Sequence, residues 1–493
     1  MCKHSGIVIV FLWAVTVFAL FPCQMAFAEA PDTLWTKTYG GTDYEEGSSV
    51  RQTSDGGYII VGWTRSFGAG EDDIYLIKTD ADGDILWTKT FGTDSVEHGH
   101  SVQQTDDGGY IIVGETKING NYDVYLIKTD ADGGAIWTKI YQRAGTDEGY
   151  SVQQTSDGGY IIAGNTSSGP SFFNMFFIKT DANGDTIWTK TYGGGFLRYC
   201  YSVQQTIPDG GYIATGIAQS MGECPKVCLI KLDTEGGNTW TKFYGTADYY
   251  DVAYSVQQTS DTGYIISGYT QSTEFDYDVY LIKTDSLGNL LWSKVYGGIA
   301  DEEGHSVRQT SDGGYIIAGY TKSFGSGSKD VYLIKTDADG DTLWTKTVGG
   351  SSGDEANSVQ QTTDGGYIIA GTTSSFGFRG SDIYLIKTEP DGVGIEEETS
   401  KVSFALHSEP NPFRDRVTIR WRIEDGRWKS EDISLRIYDA TGRLVKEFIL
   451  PTASTAISWD GRDDSGRKVG SGVYFVRLET GNQKFTRKVL LLR

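Results

Sequence analysis

One phrase occurs seven times in this chain of 493 residues, and it constrains the fold more than any other feature. Its clearest copy, SVQQTDDGGYIIVGETKINGNYDVYLIKTDADGGAIWTKIY, runs from Ser101 to Tyr141. Successive copies are 50 to 52 residues apart. Self-similarity at this period predicts stacked supersecondary units that share their core with their neighbours. The Gly-Gly-Tyr step, or its variant, places tyrosines at Tyr58, Tyr110, Tyr160, Tyr212, Tyr264, Tyr315 and Tyr367.

Each copy contains four short runs rich in Tyr, Ile, Val, Thr and Trp, which suit a pleated sheet. In the second copy the runs are Ser101–Thr105, Tyr110–Thr116, Asp123–Thr129 and Ala135–Ile140. Asp-Gly pairs between the runs are typical of tight hairpin turns. Four strands in about 50 residues are the signature of a β-propeller blade, so we predict an all-β fold, a seven-bladed propeller of four-stranded blades.

The order of the repeated residues predicts how the ring closes. The first tryptophan of the Trp-Thr-Lys step, Trp35, precedes the first tyrosine, Tyr58, and the seventh unit stops at Thr388 without its own tryptophan. We therefore predict that Leu34–Tyr39, from the N-terminal end, forms the fourth strand of blade seven. Closure of this kind leaves no unpaired strand at the seam.

The repeated tryptophans are predicted to be packing residues. They occupy one fixed place after the turn between strands three and four: Trp35, Trp87, Trp137, Trp188, Trp240, Trp292 and Trp344. There an indole can fill the wedge between neighbouring sheets, with its N–H bonded to a nearby carbonyl. The alternative, stacking on a ligand at all seven places, is disfavoured because tryptophan usually contributes to a core.

Residues 1–28 are predicted to be a signal peptide. Lys3 supplies the positive charge, Ile7 to Leu20 is apolar, and Ala26-Phe27-Ala28 fits a cleavage site. The apolar run is short for a stable transmembrane span. A lipoprotein reading at Cys23 is disfavoured because Pro22 stands where a small residue is expected. The mature protein is therefore expected to be secreted or held at the outer cell surface.

A change of charge divides the remainder into domains. Residues 401–493 hold 18 Lys and Arg against 12 Asp and Glu, whereas residues 1–400 hold 25 against 53. We predict a propeller at residues 31–392, an acidic linker at 393–402 and a second domain at 403–493. The acidic propeller argues against a nucleic-acid partner.

The final domain is predicted to be a small immunoglobulin-like β-sandwich, because its apolar residues alternate with a period of two. The alternating runs are Arg416–Ile423, Ile433–Tyr438, Ala456–Trp459, Val473–Leu478 and Phe485–Leu492.

Five motifs of this domain, in order, resemble a known family. They are Glu409-Pro-Asn-Pro-Phe413, IYDATGRL from Ile437 to Leu444, Trp459-Asp-Gly-Arg-Asp463, SGVYF from Ser471 to Phe475, and Arg487-Lys-Val489. They look like the type IX secretion C-terminal sorting domain, and they resemble the related Ig-like domain of flagellar-hook capping proteins. The resemblance implies export across the outer membrane with the secretion machinery as a partner. It also implies release from the cell or anchoring at its surface.

The step TDADGDxLWTK also resembles the tryptophan-docking repeat of pyrroloquinoline-quinone-type propellers. That resemblance implies a quinone-dependent dehydrogenase as one alternative function. Those enzymes usually have eight blades, and neither their catalytic aspartate nor their cofactor ring is identifiable here. The match therefore supports the fold more than the chemistry.

Two explanations remain for the aspartates of the turns between strands three and four. In Asp80-Ala-Asp82-Gly-Asp84, carboxylates at alternate positions have the oxygen ligands that Ca²⁺ takes. Asp and Gly also suit a hairpin turn with its own hydrogen bonds, and the other copies lose carboxylates. We expect turn chemistry and keep calcium as the alternative. The sequence identifies no other metal or cofactor.

Strand alternation places these uniform turns, together with those between strands one and two, on one face of the ring. The opposite, variable face carries the loops between strands two and three and the connections between blades. Variable loops on a rigid scaffold are where recognition usually takes place. Acids and aromatics there are our candidate ligand-binding residues: Glu45, Glu46, Asp94, Glu97, Asp147, Glu148, Asp301, Glu302, Phe67, Phe324 and Phe376. The alternative is that the acids provide solubility and each phenylalanine caps a blade edge.

Three cysteines follow the signal peptide, all in blade four. A Cys200–Cys224 disulfide is our first expectation in an oxidising compartment, with Cys224–Cys228 or three free thiols as alternatives. A metal site is disfavoured because no histidine lies near them.

The sequence thus favours an exported binding or structural module with an unidentified protein or glycan ligand. A secreted enzyme acting on a polysaccharide is the alternative, although nothing marks a catalytic pair of carboxylates.

Overall fold

A computed structural model shows the architecture of the chain. It describes residues 30–391, except 144, 168–172, 194–197, 221, 246–248 and 272–275. Towards the C-terminus it describes residues 404–492, except 410–412, 415, 424–432, 440–442, 449–455 and 481–482. The predicted signal peptide and linker lie outside these ranges. The described residues form two compact units, within residues 1–392 and 393–493. They contain strands and turns but no helix.

Seven four-stranded antiparallel sheets form the first unit, as predicted. The first strands are Glu45–Gln52, Glu97–Gln104, Thr146–Gln154, Arg198–Gln205, Asp251–Gln258, Glu302–Gln309 and Asp354–Gln361. The second strands are Tyr58–Thr64, Tyr110–Ile118, Tyr160–Ser167, Tyr212–Ala218, Tyr264–Gln271, Tyr315–Thr321 and Tyr367–Thr373. The third strands are Asp73–Thr79, Asn121–Thr129, Phe173–Thr180, Lys226–Leu232, Tyr277–Thr284, Asp330–Thr336 and Asp382–Thr388. The fourth strands are Ile85–Phe91, Ala135–Tyr141, Thr186–Tyr192, Asn238–Tyr244, Leu290–Tyr296, Thr342–Val348 and Thr33–Tyr39.

The ring closes through the N-terminal strand, which confirms the prediction. Thr33–Tyr39 pairs antiparallel with Asp382–Thr388, and Thr36 lies opposite Ile386. It is the outermost strand of the seventh sheet. The first and last segments of the propeller are thus joined in one blade.

The burial of each strand follows its position in the blade. Almost all residues of the second and third strands are buried, including the Lys-Thr pair at the end of most third strands. The fourth strands consist mostly of exposed and partly buried residues because they form the outer edge. The first strands contact one another around the ring and line a central channel.

The first strands begin earlier than the repeated phrase suggests. Glu45, Glu97 and Glu302 were assigned to the connections between blades, but each is the first residue of a first strand. A β-bulge then shifts the register in every first strand, in blade one between Gly47 and Ser49. Sequence alternation alone could not place these side chains because a bulge adds one residue to one strand only.

The seven tryptophans lie between blades, as predicted. Each indole packs against the Gly-Gly-Tyr tyrosine of the next blade at an interplanar angle of 57 to 67°, with ring centroids 5.9 to 6.1 Å apart. The Trp188 indole N–H donates to the carbonyl of Thr234, also in the next blade, at 3.2 Å. The indole also packs against the turn glycine of the next blade, where a side chain would not fit: a Cβ at Gly83 would lie 2.8 Å from the ring of Trp35.

One buried lysine and one aspartate pair in every blade. The lysine comes from the third strand and the aspartate from the turn between strands one and two, with nitrogen and oxygen 2.7 to 2.9 Å apart. Asp55 also accepts hydrogen bonds from the Thr53 hydroxyl and the Gly57 amide. The Thr-x-Asp-Gly-Gly-Tyr motif and the lysine of the third strand therefore serve the fold.

The second unit is a two-sheet sandwich, which confirms the immunoglobulin-like prediction. One sheet contains Phe404–Glu409, Val417–Ile423 and Ala456–Trp459, and the other contains Leu444–Phe448, Ile433–Asp439, Gly472–Thr480 and Gln483–Leu491. Trp459 is at the centre of the core, with ring centroids 5.4 Å from Phe413 and 5.1 Å from Tyr474. The strands Phe404–Glu409 and Leu444–Phe448 were not predicted.

Candidate functional site

The bulged residues of the first strands form a ring of side chains in the central channel. Each immediately precedes the Ser-Val pair of its blade, and each lies at a shift of register. We call these seven residues the channel ring: Ser48, His100, Tyr150, Tyr201, Tyr254, His305 and Asn357. They lie in the half of the channel nearer the variable face, where the first strands begin.

Five members of the channel ring make a continuous aromatic arc across blades two to six. The centroids are 4.8 Å apart for His100 and Tyr150, and 5.4 Å apart for Tyr150 and Tyr201. They are 5.3 Å apart for Tyr201 and Tyr254, and 5.1 Å apart for Tyr254 and His305. All five side chains are partly exposed. The arc therefore offers aromatic surface to a ligand in the channel.

Carboxylates flank the arc and hold its tyrosines. The Tyr150 hydroxyl donates to Glu148 Oε2 at 2.9 Å, and the Tyr254 hydroxyl donates to Glu303 Oε2 at 3.2 Å. The Tyr320 hydroxyl donates to Glu303 Oε1 at 2.7 Å. Burial, followed by the charge of the adjacent glutamate, raises the pKa of Tyr150 and of Tyr254. Both tyrosines therefore remain neutral donors.

A histidine–carboxylate network covers one side of the arc. His98 Nδ1 and His100 Nε2 lie 3.3 and 3.2 Å from the two oxygens of Glu115, and His98 Nε2 lies 3.3 Å from Asp72. Burial opposes ionisation of Glu115, but the two histidines outweigh it and lower the pKa of this carboxyl to about 2. Burial lowers the pKa of His98, whereas Glu115 and Asp72 raise it, and the net direction is upward.

The charge at the channel ring is incompletely balanced. Burial, and then the proximity of Glu355, raises the pKa of Glu46. Burial, and then the proximity of Glu115, raises the pKa of Glu148. Because both shifts arise from desolvation and like charge, a cation placed here would stabilise both carboxylates.

Four of the eight acids singled out from the sequence are buried at the start of the first strands: Glu45, Glu97, Asp147 and Glu302. Glu302 accepts hydrogen bonds from the Gly298 amide, the Thr321 hydroxyl and the Ser323 amide. Glu45 binds the matching groups of blade one. These two carboxylates hold the loops of the variable face in place.

The other four acids have different surroundings. Asp94 is exposed, and Asp301 is partly exposed with Lys322 Nζ 2.7 Å from its carboxylate. Only Glu46 and Glu148 lie beside the channel ring. The structure thus brings two of the candidate residues together with tyrosines and histidines that were not predicted to be part of a site.

The candidate phenylalanines lie at the outer part of the variable face. Phe67, Phe324 and Phe376 are each 43 to 44% exposed. Each ring packs on a tyrosine of its own third strand with centroids 5.6 to 5.7 Å apart. They are not part of the channel ring.

The predicted disulfide is wrong: Cys200, Cys224 and Cys228 are all free. Cys200 is buried in the core between blades and lies opposite Gly216, which lies opposite Cys228 on its other side. Cys228 is buried in the same core. Cys224 lies outside that core and is partly exposed.

The turns between strands three and four have the geometry of local turn chemistry. Asp80 Oδ1 accepts hydrogen bonds from the amides of Asp82 and Asp84, at 3.0 and 2.8 Å. Within the described ranges, no three His, Cys, Asp or Glu side chains are grouped to hold a metal ion. Calcium binding by these turns stays a prediction.

The aromatic arc could have been found in the sequence. The residue before each Ser-Val pair is His or Tyr in five of the seven copies, whereas the Ser-Val pair itself does not vary. A variable position within an otherwise constant strand indicates a side chain that does not serve the core.

The fold and the C-terminal motifs together define an exported propeller protein with a sorting tail. Residues 410–492 match the family described as "Secretion system C-terminal sorting domain". The sequence resemblance is thus confirmed, and the chain is addressed to the cell surface or the exterior by type IX secretion. In the part of the chain that the structure describes, no helix has the length and apolar character needed to cross a membrane.

A curated relative matches part of the chain. It is "Regulatory protein FlaEY" of Caulobacter vibrioides, 27% identical over 218 residues. The match covers 39% of this chain and 23% of the relative, so this chain spans about a quarter of that protein's length.

Two solved structures are similar in fold. One is PorZ of Porphyromonas gingivalis, described as an essential bacterial surface component of the type-IX secretion system. It is 14% identical, with a TM-score of 0.40 over 92% of this chain and 60% of that chain. The other is the Pan2 WD40 domain of Neurospora crassa, 11% identical, with a TM-score of 0.44 over 73% and 96% of the two chains. At these values neither similarity carries a functional assignment.

Proposed function

We propose that the propeller is the binding module of this exported protein and that it takes a basic side chain of an extracellular protein into the channel ring. The observation that carries the proposal is the aromatic arc from His100 to His305 beside the carboxylates Glu46 and Glu148. A lysine or arginine over a tyrosine face gains a cation–π attraction, and an adjacent carboxylate adds a charge-assisted hydrogen bond.

The protein's own side chains support this chemistry. Lys329 Nζ lies 4.0 Å from the centroid of the Tyr320 ring and 3.0 Å from Glu355 Oε2. Tyr320 in turn packs against His305 with centroids 5.7 Å apart. One cation is thus already bound at the blade-six end of the arc.

The blade-three end of the arc carries the same groups without such a lysine. Tyr150 and Tyr201 supply the ring faces and Glu148 supplies the carboxylate. Among the described residues, neither Lys nor Arg lies at ion-pair distance from Glu148 or contributes to its pKa shift. An arriving lysine or arginine has its counter-charge and its aromatic surface there.

The test compares Tyr201→Leu with Phe376→Leu in the full exported chain. The probes are a lysine octapeptide, a glutamate octapeptide and an array of neutral glycans, all at physiological salt. We expect saturable binding of the lysine peptide that weakens about tenfold in Y201L, equivalent to ~1.4 kcal/mol. Binding by F376L, which also loses an aromatic ring, should equal wild type. Glycan binding that depends on Tyr201 would retain the site but contradict the basic ligand.

A further inference from the structure

A second feature of the channel lies towards the uniform face, beyond the channel ring. The first strands of the blades line a cavity of about 400 Å³ there. The residue after each Ser-Val pair lies at the height of this cavity along the channel. It is glutamine in five blades and arginine in two. The seven residues are Arg51, Gln103, Gln153, Gln204, Gln257, Arg308 and Gln360.

The five glutamines join each blade to the next. The side-chain oxygen of Gln103 accepts a hydrogen bond from the backbone amide of Gln154 at 2.8 Å. The other four make the same bond across their blade boundaries, at 2.6 to 2.9 Å. The glutamine at this position is therefore the ordinary structural residue of the ring.

The two arginines interrupt that pattern. A guanidinium has no acceptor atom, so it cannot accept a hydrogen bond from the backbone amide of the following blade. After Arg51 that amide belongs to Gln104, and after Arg308 it belongs to Gln361. Two backbone N–H groups therefore lack the glutamine acceptor found at the other five boundaries.

The arginines also bring unbalanced positive charge. The residues that line the cavity include neither aspartate nor glutamate, and no described carboxylate lies at ion-pair distance from either guanidinium. Among the described residues, Arg51 donates through Nη1 to the Val50 carbonyl, and Arg308 donates through Nη1 to the Val307 carbonyl and to the Ser255 hydroxyl. Burial in the channel, and then the charge of Arg51, lowers the pKa of Arg308 to about 9. Arginine ordinarily remains charged above pH 12.

We propose that this cavity is an oxyanion site, in which Arg51 and Arg308 together bind a phosphate or sulfate group. The guanidinium forks match the oxygens of such a group, and the amides of Gln104 and Gln361 add two donors. The anion supplies the acceptors that glutamine provides at the other five boundaries, and its negative charge balances the two guanidinium groups. The group can come from a free inorganic ion or from an ester on a sugar.

The ring itself provides the matched variant. Arg51→Gln and Arg308→Gln install the residue found in the other five blades, so the double variant R51Q/R308Q should fold and regain both inter-blade hydrogen bonds. Arg379→Gln removes the same charge from an exposed position on the variable face and serves as the control.

The experiment is calorimetric titration of the full exported chain with sodium phosphate, sodium sulfate and glucose 6-phosphate, with ionic strength held constant by sodium chloride. Wild type and R379Q should bind at least one of these anions saturably. Each single glutamine variant should weaken binding at least tenfold, and R51Q/R308Q should show none. Preference for the sugar ester would identify an esterified ligand, and preference for the ions would identify free anions.

Thermal unfolding gives an independent readout. Without multivalent anions, R51Q/R308Q should melt above wild type because two unbalanced charges have gone, and phosphate should raise the melting temperature of wild type only. Equal phosphate binding by wild type and R51Q/R308Q would overturn the proposal. Absence of any saturable anion effect on wild type relative to chloride would also overturn it.

Discussion

Trp35, from the N-terminal strand, packs against Tyr58 of blade one with ring centroids 6.0 Å apart. This is the contact that the other six tryptophans make within the continuous part of the chain. The first strand of the sequence therefore reproduces, at the seam, the packing of an internal blade boundary. Ring closure depends on a segment that lies more than 300 residues from its partner strand.

Trp35→Ala should destabilise the closed ring. The indole is partly buried, so we expect a loss of about 2–3 kcal/mol, below the usual cost at a fully buried site. Leu34→Ala, on the exposed side of the same strand, should change the free energy of unfolding by less than about 0.5 kcal/mol. Urea unfolding followed by tryptophan fluorescence measures both. Equal effects of the two substitutions would contradict the role assigned to the seam.

The lysine–aspartate pairs predict a pH-dependent contribution to stability. Hydrogen bonds from Lys128, Thr105 and Gly109 outweigh the effect of burial and lower the pKa of Asp107 to about 2. An unfolded aspartate has a pKa near 3.9, so the unfolded state binds more protons between about pH 4 and pH 2. The stabilisation is therefore complete above about pH 4 and is lost as the pH falls towards 2.

The test compares Asp107→Asn with wild type in urea at several pH values. At pH 6 the substitution should cost about 1–3 kcal/mol because Lys128 stays buried without its carboxylate. The difference in the free energy of unfolding between this variant and wild type should decrease steadily between pH 4 and pH 2. Asp106→Asn, at the exposed neighbouring position, should match wild type throughout. If the difference in the free energy of unfolding between D107N and wild type stayed constant down to pH 2, the lysine–aspartate pair would not be the source of the pH dependence.

Glu302 is predicted to act on stability. Glu302→Ala removes a fully buried carboxylate and leaves the buried Thr321 hydroxyl and the Ser323 amide without their acceptor, which should cost about 2–4 kcal/mol. Asp301→Ala removes a partly exposed pair with Lys322 and should cost less than about 1 kcal/mol. Thermal denaturation of both variants distinguishes the roles. An unchanged melting temperature for E302A would show that this carboxylate does not stabilise the loops of the variable face.

The cysteines give a direct check on the blade-four core. A thiol reagent should titrate three groups in the unfolded exported chain without prior reduction. In the native protein it should react with Cys224 only, since Cys200 and Cys228 are buried. Burial raises the pKa of Cys228 to about 12, which further suppresses its reaction. Fewer than three thiols after unfolding would show that a disulfide forms.

The seven copies of the repeat and their period were sufficient to predict seven blades, because each unit must bury its sheet against its neighbours. The position of Trp35 before Tyr58 was sufficient to predict the closing strand. Both inferences depend on order along the chain, which the sequence displays directly.

The candidate site was harder to locate because the bulge changes which side chains face the channel. Glu45 and Glu46 are adjacent in sequence, yet Glu45 is buried among loop amides and Glu46 lies beside the channel ring. Alternation does not reveal a one-residue insertion in a strand. The aromatic arc was not predicted because its rings lie on the first strands, whereas recognition on a rigid scaffold is usually expected in the loops.

The most direct test of the proposed recognition site compares two double variants that carry the same net charge. Glu148→Gln with Glu303→Gln removes two carboxylates that accept hydrogen bonds from channel-ring tyrosines, and Glu71→Gln with Asp94→Asn removes two exposed acids from the variable face. The measurement is the dissociation constant of a lysine octapeptide for each full-length exported variant at physiological salt. We predict at least tenfold weaker binding for E148Q/E303Q and unchanged binding for E71Q/D94N. Equal weakening in both would mean that the peptide senses only overall charge, and it would contradict a specific site in the channel.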